Sequence, residues 1–157
     1  MPQVRRACQD DIPDILKLLV QVDMVHHNGR PDLFRGPATK YSAEQLAEIL
    51  HDETRPVFVF AADDGHVYGH AFCMTEQILN DPVRTDVKTL YIDDICVDEN
   101  ARRQQIGKRL YDAVLAYARD IGCYNVTLNV WACNPAAQAF YEYCGMKPQK
   151  TGMEIIL

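Results

Sequence analysis

Several things are missing from this sequence, and each absence narrows its chemistry. No run of about 18 consecutive apolar residues occurs, so nothing in it is expected to cross a membrane. The opening residues, MPQVRRACQDD, turn acidic after two arginines and hold no apolar segment, so a secretory leader is not expected. Basic charge is in deficit, 16 Lys+Arg against 22 Asp+Glu for a formal −6, which argues against general adhesion to nucleic acid. The six cysteines form no CxxC or CxxH pair, so no structural metal is expected and reduced, mostly buried thiols are. His26 and His27 are adjacent, and His66 and His70 flank a turn; neither spacing converges two ring nitrogens on a metal. The phosphate-binding pattern GxxxxGK[ST] is also absent.

What remains is an ordinary globular composition, 48% hydrophobic and 24% charged over 157 residues. That length gives a prior of one domain, residues 1–157, with room for a full core. A soluble, cytoplasmic chain is expected.

Residues 4–7 read as a short strand. Asp11-Ile12-Pro13 opens a helix, with proline where a missing N–H costs nothing. Residues 28–40 hold two glycines and two prolines and read as a loop. Ser42 followed by Gln45 matches a capping box, with Leu46, Ile49 and Leu50 as the buried stripe of the next helix. Residues 57–62 and 67–74 flank Asp63-Asp64-Gly65 as a β-hairpin. Residues 90–97 form a strand interrupted by two acids. Residues 105–121 form an amphipathic helix closed by Gly122. A strand over 125–131 follows, then a helix opened by Asn134-Pro135 and ended at Gly145, then a last strand over 153–157. The order predicts one mixed α/β sheet with helices on both faces.

The most informative stretch is IDDICVDENARRQQIGKRL, residues 92–110. A strand runs through a polar turn into a helix, whose unpaired first-turn N–H groups and partial positive charge suit a phosphate or pyrophosphate. Gly107 allows close approach to the backbone, and Arg102, Arg103, Lys108 and Arg109 add positive field. A solvated basic helix start is an equally good reading of these residues alone.

Arg102-Arg103-Gln104-Gln105-Ile106-Gly107 between strand and helix resembles the acetyl-CoA motif of the GCN5-related N-acetyltransferase family, [Arg/Gln]-x-x-Gly-x-[Gly/Ala]. The stretch from Asn134 through Phe140-Tyr141 to Gly145 resembles that family's second signature, and the element order matches it from end to end. Gln105 stands where the family carries its first glycine, and its Cβ would crowd the backbone there.

The resemblance implies a single-domain, mostly antiparallel sheet whose central parallel strands splay apart. It also implies acetyl transfer from acetyl-CoA to a primary amine, expected to be cationic, of a small molecule or peptide, by direct attack on the thioester. Ile95, Cys96, Val97, Arg102, Arg103, Gln104, Gln105, Ile106, Gly107, Lys108, Asn134 and Tyr141 are then the cofactor-binding residues, mostly through main chain, with an N–H near Cys96 facing the oxyanion. Tyr141 is implied as the acid that protonates the leaving thiolate, and core aromatic packing is its ordinary alternative. Asp93 is implied as the base for the amine, and Asp94, on the opposite face of a regular strand, is left for a structural ion pair or an edge contact. Asn129 suits a local hydrogen bond, and Trp131 suits either a pocket wall or packing. No metal is implied, and a homodimer is. Two other classes stay open, a catalytically silent acyl-CoA-binding or sensing module and a subunit of a larger complex.

Overall fold

The computed structural model describes residues 1–101 and 104–157. Its elements are β1 (Gln3–Arg6), a 3-10 turn (Gln9–Asp11), α1 (Ile12–Gly29), α2 (Ala43–Leu50), β2 (Val57–Ala61), β3 (Val67–Glu76), β4 (Thr89–Val97), α3 (Ile106–Asp120), β5 (Asn125–Leu128) and α4 (Pro135–Tyr143). The five strands lie in chain order in one sheet. Strands β1 to β4 run antiparallel to their neighbours, and β5 joins β4 in parallel.

The hairpin alternation sorts the core into two layers. Val57, Val59 and Ala61 face α1 and α2, against Ile15, Leu18, Leu19, Leu46 and Ile49. Phe58 and Phe60 face the other way, against Leu110, Val114 and Ala118 of α3. Every residue of β2 is buried, as a strand covered on both faces requires. On α1 the buried positions Ile12, Ile15, Leu18 and Leu19 recur at helical spacing. Helix α2 starts with the reciprocal cap read from its sequence: Gln45 N–H donates to Ser42 Oγ at 3.2 Å, and Ser42 N–H donates to Gln45 Oε1 at 2.9 Å. Close packing of α3 on the sheet depends on Gly69, where a Cβ would lie 2.9 Å from Ile106 Cγ2 and 3.0 Å from both Cys96 O and Leu110 Cδ1.

Two expected strands differ. Strand β5 ends at Leu128 instead of Trp131, because β4 has already diverged from it and offers no further ladder. Residues 153–157 alternate suitably for a strand but form none, since a strand needs an edge to pair with and they lie on none. The cysteines are also less buried than expected: Cys73 and Cys96 are buried, Cys123 and Cys144 partly so, and Cys8 and Cys133 are exposed. Among the described residues, no helix is long and apolar enough to cross a membrane.

Candidate active site

The site is organised by β4. Its ladder with β5 runs from Thr89 opposite Asn125 to Ile92 opposite Leu128 and stops, while β4 itself continues to Val97. From Asp94 to Val97 one edge pairs with β3, and from Asp93 onward the edge facing β5 carries no strand. The parallel strands therefore splay, leaving a row of main-chain donors and acceptors that an extended, amide-bearing chain could fill.

A bulge lies at the opening of this splay. Phe72 opposes Asp94 and Cys73 opposes Ile92, which makes Asp93 the extra residue of the ladder. The strict alternation that would send the two acids to opposite faces is thereby broken, and Lys40 feels the charge of both. Lys40, from the loop between α1 and α2, donates to Asp93 Oδ2 at 2.5 Å. Burial works against the Lys40 charge, but the Asp93 contact outweighs it and holds the ammonium above its usual value. Asp94 is held separately, by Nε2 of fully buried His70 on β3 at 2.9 Å. The other His70 ring nitrogen is buried without a hydrogen-bond partner among the described residues. Asp94 thus has a side-chain partner across the strand pair.

Tyr141, on α4, packs against the α3-side core, with its ring 5.2 Å from that of Phe140. Its hydroxyl has no hydrogen-bond partner among the described residues. Burial first, and then the negative charge of Asp94, push this phenol well above its usual range, so it carries its proton at neutral pH. Asn134 is occupied locally: its side-chain oxygen accepts from Ala137 N–H at 3.2 Å and caps α4.

At the start of α3, Gln105 is a left-handed residue at φ 54°, ψ 31° and makes no side-chain cap. It takes up the backbone that glycine would, with its side chain exposed. Gly107 is tighter than a ligand-access role alone requires, since a Cβ would come within 3.3 Å of the Phe140 ring that leans on it. Ile106 is buried in the core, and Gln104 is exposed. Lys108 reaches Asp112 one turn on, at 2.5 Å. Arg109 faces elsewhere, over Phe60 at 4.8 Å and donating to Pro2 O at 3.0 Å, so it adds nothing to this helix start. The expectations for Arg102 and Arg103 lie outside the described residues. Ile95 and Val97 pack toward α3, while Cys96 is buried on the α1 side with Sγ donating to Leu18 O at 3.3 Å; toward the splay these three offer main chain.

Three neighbours escaped the sequence reading. Lys40 fell in a loop and carried no motif. His70 had a usable signal, because a lone polar residue in an apolar strand, like Asp94 in the next strand, needs a partner. Phe34, from the same loop as Lys40, meets Trp131 edge-on at 5.1 Å and stacks on His26 at 5.1 Å, joining that loop to the segment after β5. Asn129 makes the local contact expected, Nδ2 to the Tyr91 hydroxyl at 3.3 Å. Among the described residues, no three potential metal ligands gather.

The sequence matches the Acetyltransferase (GNAT) family over residues 23–146, most of its length and all of the splay. The chain belongs to the GNAT family. The BH1408 protein of Bacillus halodurans, as a tetramutant, shares this GNAT chain's structure with a TM-score of 0.92 at 28% identity, covering 98% of this chain and 99% of that one. Glucosamine 6-phosphate N-acetyltransferase of Arabidopsis thaliana is 33% identical over 66 residues, and the match spans only 42% of each protein. The crystal structure of that Arabidopsis enzyme superposes with a TM-score of 0.73 at 22% identity over 99% of this chain and 98% of its own, a likeness of fold.

Proposed function

We propose that this GNAT protein is an acetyl-CoA-dependent N-acetyltransferase that acetylates a primary amine of a small molecule or peptide. In this reading residues 1–157 act as one domain, located in the cytoplasm and working as a homodimer without a metal. The observation that carries it is the edge of β4 left open past Ile92, with Asp93 and Asp94 along it and the Tyr141 phenol near enough to feel the charge of Asp94. Acetyl-CoA would supply the activated acyl group, its extended arm pairing with the main chain of Ile95, Cys96 and Val97. Its pyrophosphate would meet the first-turn amides of α3 around Gln105, Ile106, Gly107 and Lys108, with Gln104 beside them, and Arg102 and Arg103 are proposed as further contacts from the motif alone. Asn134 would shape this wall from the start of α4.

An alkyl amine, with a pKa of about 10.4, arrives as ammonium. Asp93 attracts it and takes its proton, directly or through water, and an incoming cation competes with Lys40 for that carboxylate. As nitrogen bonds to the carbonyl carbon, the main-chain N–H near Cys96 faces the charge growing on oxygen. As the carbon–sulfur bond breaks, the Tyr141 hydroxyl gives its proton to the sulfur, and the second proton of the attacking nitrogen leaves through water to restore the phenol. Glucosamine 6-phosphate is the first acceptor to try, because a relative carries that activity in its name.

The test is calorimetry with acetyl-CoA, paired with a thiol-release assay over an amine panel. Binding with release on at least one amine is expected, together with a loss of about 100-fold in kcat and little change in KM for Tyr141→Phe. Binding without release on any amine turns the assignment to the silent acyl-CoA sensor. Absence of binding removes both.

A further inference from the structure

The chain holds six lysines, Lys17, Lys40, Lys88, Lys108, Lys147 and Lys150. Lys17 lies 3.7 Å from Asp14 on its own helix, Lys88 donates to Ile121 O at 3.1 Å, and Lys108 donates to Asp112 one turn on. Lys40 instead reaches across the molecule, from the loop before α2 to Asp93 on β4. Asp93 is the first residue of β4 beyond its ladder with β5, so this amine sits where the open edge begins. The neighbours of Lys40 keep it there. Tyr41, the next residue, lays its ring against Phe72 at 5.8 Å, and Phe72 is the residue opposite Asp94 in the β3–β4 ladder. Arg55 donates to the Tyr41 hydroxyl at 3.0 Å, and its guanidinium lies 5.6 Å from the centre of the same ring. Lys40 Nζ is 5.5 Å from that ring as well. Tyr41 is thus held beside the start of the open edge, and the flexible lysine stem next to it carries an amine to the acid. The Lys40 side chain is 53% exposed, and an ion pair so open to water holds its partners weakly, so the amine leaves the carboxylate readily.

We propose that the protein acetylates its own Lys40, whose Nζ takes the acceptor's place at Asp93 and removes the acyl group from acetyl-CoA bound along the open edge of β4. The inference rests on the acetyltransferase reading given above. The Lys40 ammonium gives one proton to Asp93, as an outside amine would. Its nitrogen bonds to the carbonyl carbon of the thioester, the carbon–sulfur bond breaks, and the sulfur takes the proton of the Tyr141 hydroxyl. The second proton of the nitrogen leaves through water and restores the phenol, so the products are Nζ-acetyl-Lys40 and CoA. The reach is sufficient. Cys96 stands three residues beyond Asp93, roughly 10 Å along the strand, and the four-carbon stem of lysine sweeps an arc of comparable size. Attack within one chain also gains from proximity, since the amine needs no separate binding step. Acetylation removes the charge of the nitrogen, so the modified side chain lets go of Asp93 and leaves that carboxylate to an incoming amine. The reaction therefore stops at one acetyl group per chain.

The experiment is incubation of the full chain with acetyl-CoA and no added amine, followed over time by intact mass and by peptide mapping of all six lysines. The expected result is the gain of one acetyl group, at Lys40, with a first-order rate that is unchanged when the protein is diluted about 10-fold, as a reaction within one chain requires. Tyr141→Phe is expected to slow acetylation of Lys40 at least about 10-fold, while slow chemical acetylation of the exposed Lys147 and Lys150 stays where it was. Lys40→Arg keeps a cation beside Asp93 but offers no amine, and it is expected to lose the fast phase altogether. Three results overturn the proposal: Lys40 modified no faster than Lys147 and Lys150, a first-order rate constant that rises with protein concentration, or a Tyr141→Phe rate equal to that of the wild type. The thiol-release assay separates this failure from failure of the parent reading. Release on an added amine with Lys40 unmodified sinks self-acetylation alone, whereas acceptance by neither Lys40 nor any amine sinks both.

Discussion

At position 105 a glutamine holds a backbone conformation that ordinarily selects glycine. A side chain in the left-handed region costs about 1–2 kcal/mol, and part of that is offset because glutamine has fewer unfolded conformations than glycine. Gln105→Gly is accordingly expected to stabilise the protein by about 0.5 kcal/mol, and the β-branched Gln105→Val to destabilise it by about 1–2 kcal/mol. Urea titrations of the three proteins check both signs; a stabilising valine would show that the turn is not strained. The departure from glycine was legible in the motif, and so was its steric consequence. That the chain absorbs the Cβ in place, with the side chain exposed, was not, because φ is set by how β4 and α3 are anchored at either end. The surroundings of Asp93 were legible only in part for a similar reason. Its partner Lys40 is 53 positions away, in a loop without periodicity, and only the folded chain brings the two together.

Elements with local signals were readable throughout. The caps at Ser42 and Asn134, the Asp-Gly hairpin and the amphipathic stripe of α3 depend on residues a few positions apart, and each forms as read. The β4 bulge and the early end of β5 are properties of pairs of strands, so one strand's pattern does not contain them. The junction of β1 and α1 likewise rests on a contact between elements. Arg5 donates to both carboxylate oxygens of buried Asp11 at 2.7 and 2.9 Å, and Cys8 N–H adds a third bond at 2.8 Å. Burial alone would raise the Asp11 pKa, but the Arg5 and Cys8 bonds win and lower it. A lowered carboxyl contributes stability that is complete above its unfolded value of about 3.9 and disappears as pH falls through the folded value. Asp11→Asn should therefore cost about 2 kcal/mol at neutral pH, and the gap from wild type should narrow on acidification below about pH 4. Denaturant midpoints at several acidic pH values measure it; a constant gap would mean that the ionised pair is not what matters.

Taken as a whole, the molecule is unevenly consolidated. Strands β2 and β3 and helices α1 and α3 supply nearly all the fully buried side chains, whereas β5, α4 and residues 153–157 have none. The parallel ladder joining the two parts covers only four residues of β5. Regions with few buried apolar contacts open at lower free energy than the body they attach to. Tyr141 belongs to the weakly consolidated part, while Asp93 and Asp94 belong to the firm one. The proposed proton donor and the proposed proton acceptor thus ride on pieces of different thermal endurance. Warming dilute enzyme should extinguish turnover several degrees before the far-ultraviolet signal of the main sheet fades, and reversibly so, since only the outer piece has come loose. Inactivation that coincides with global melting at every concentration would show the two pieces to be one cooperative unit.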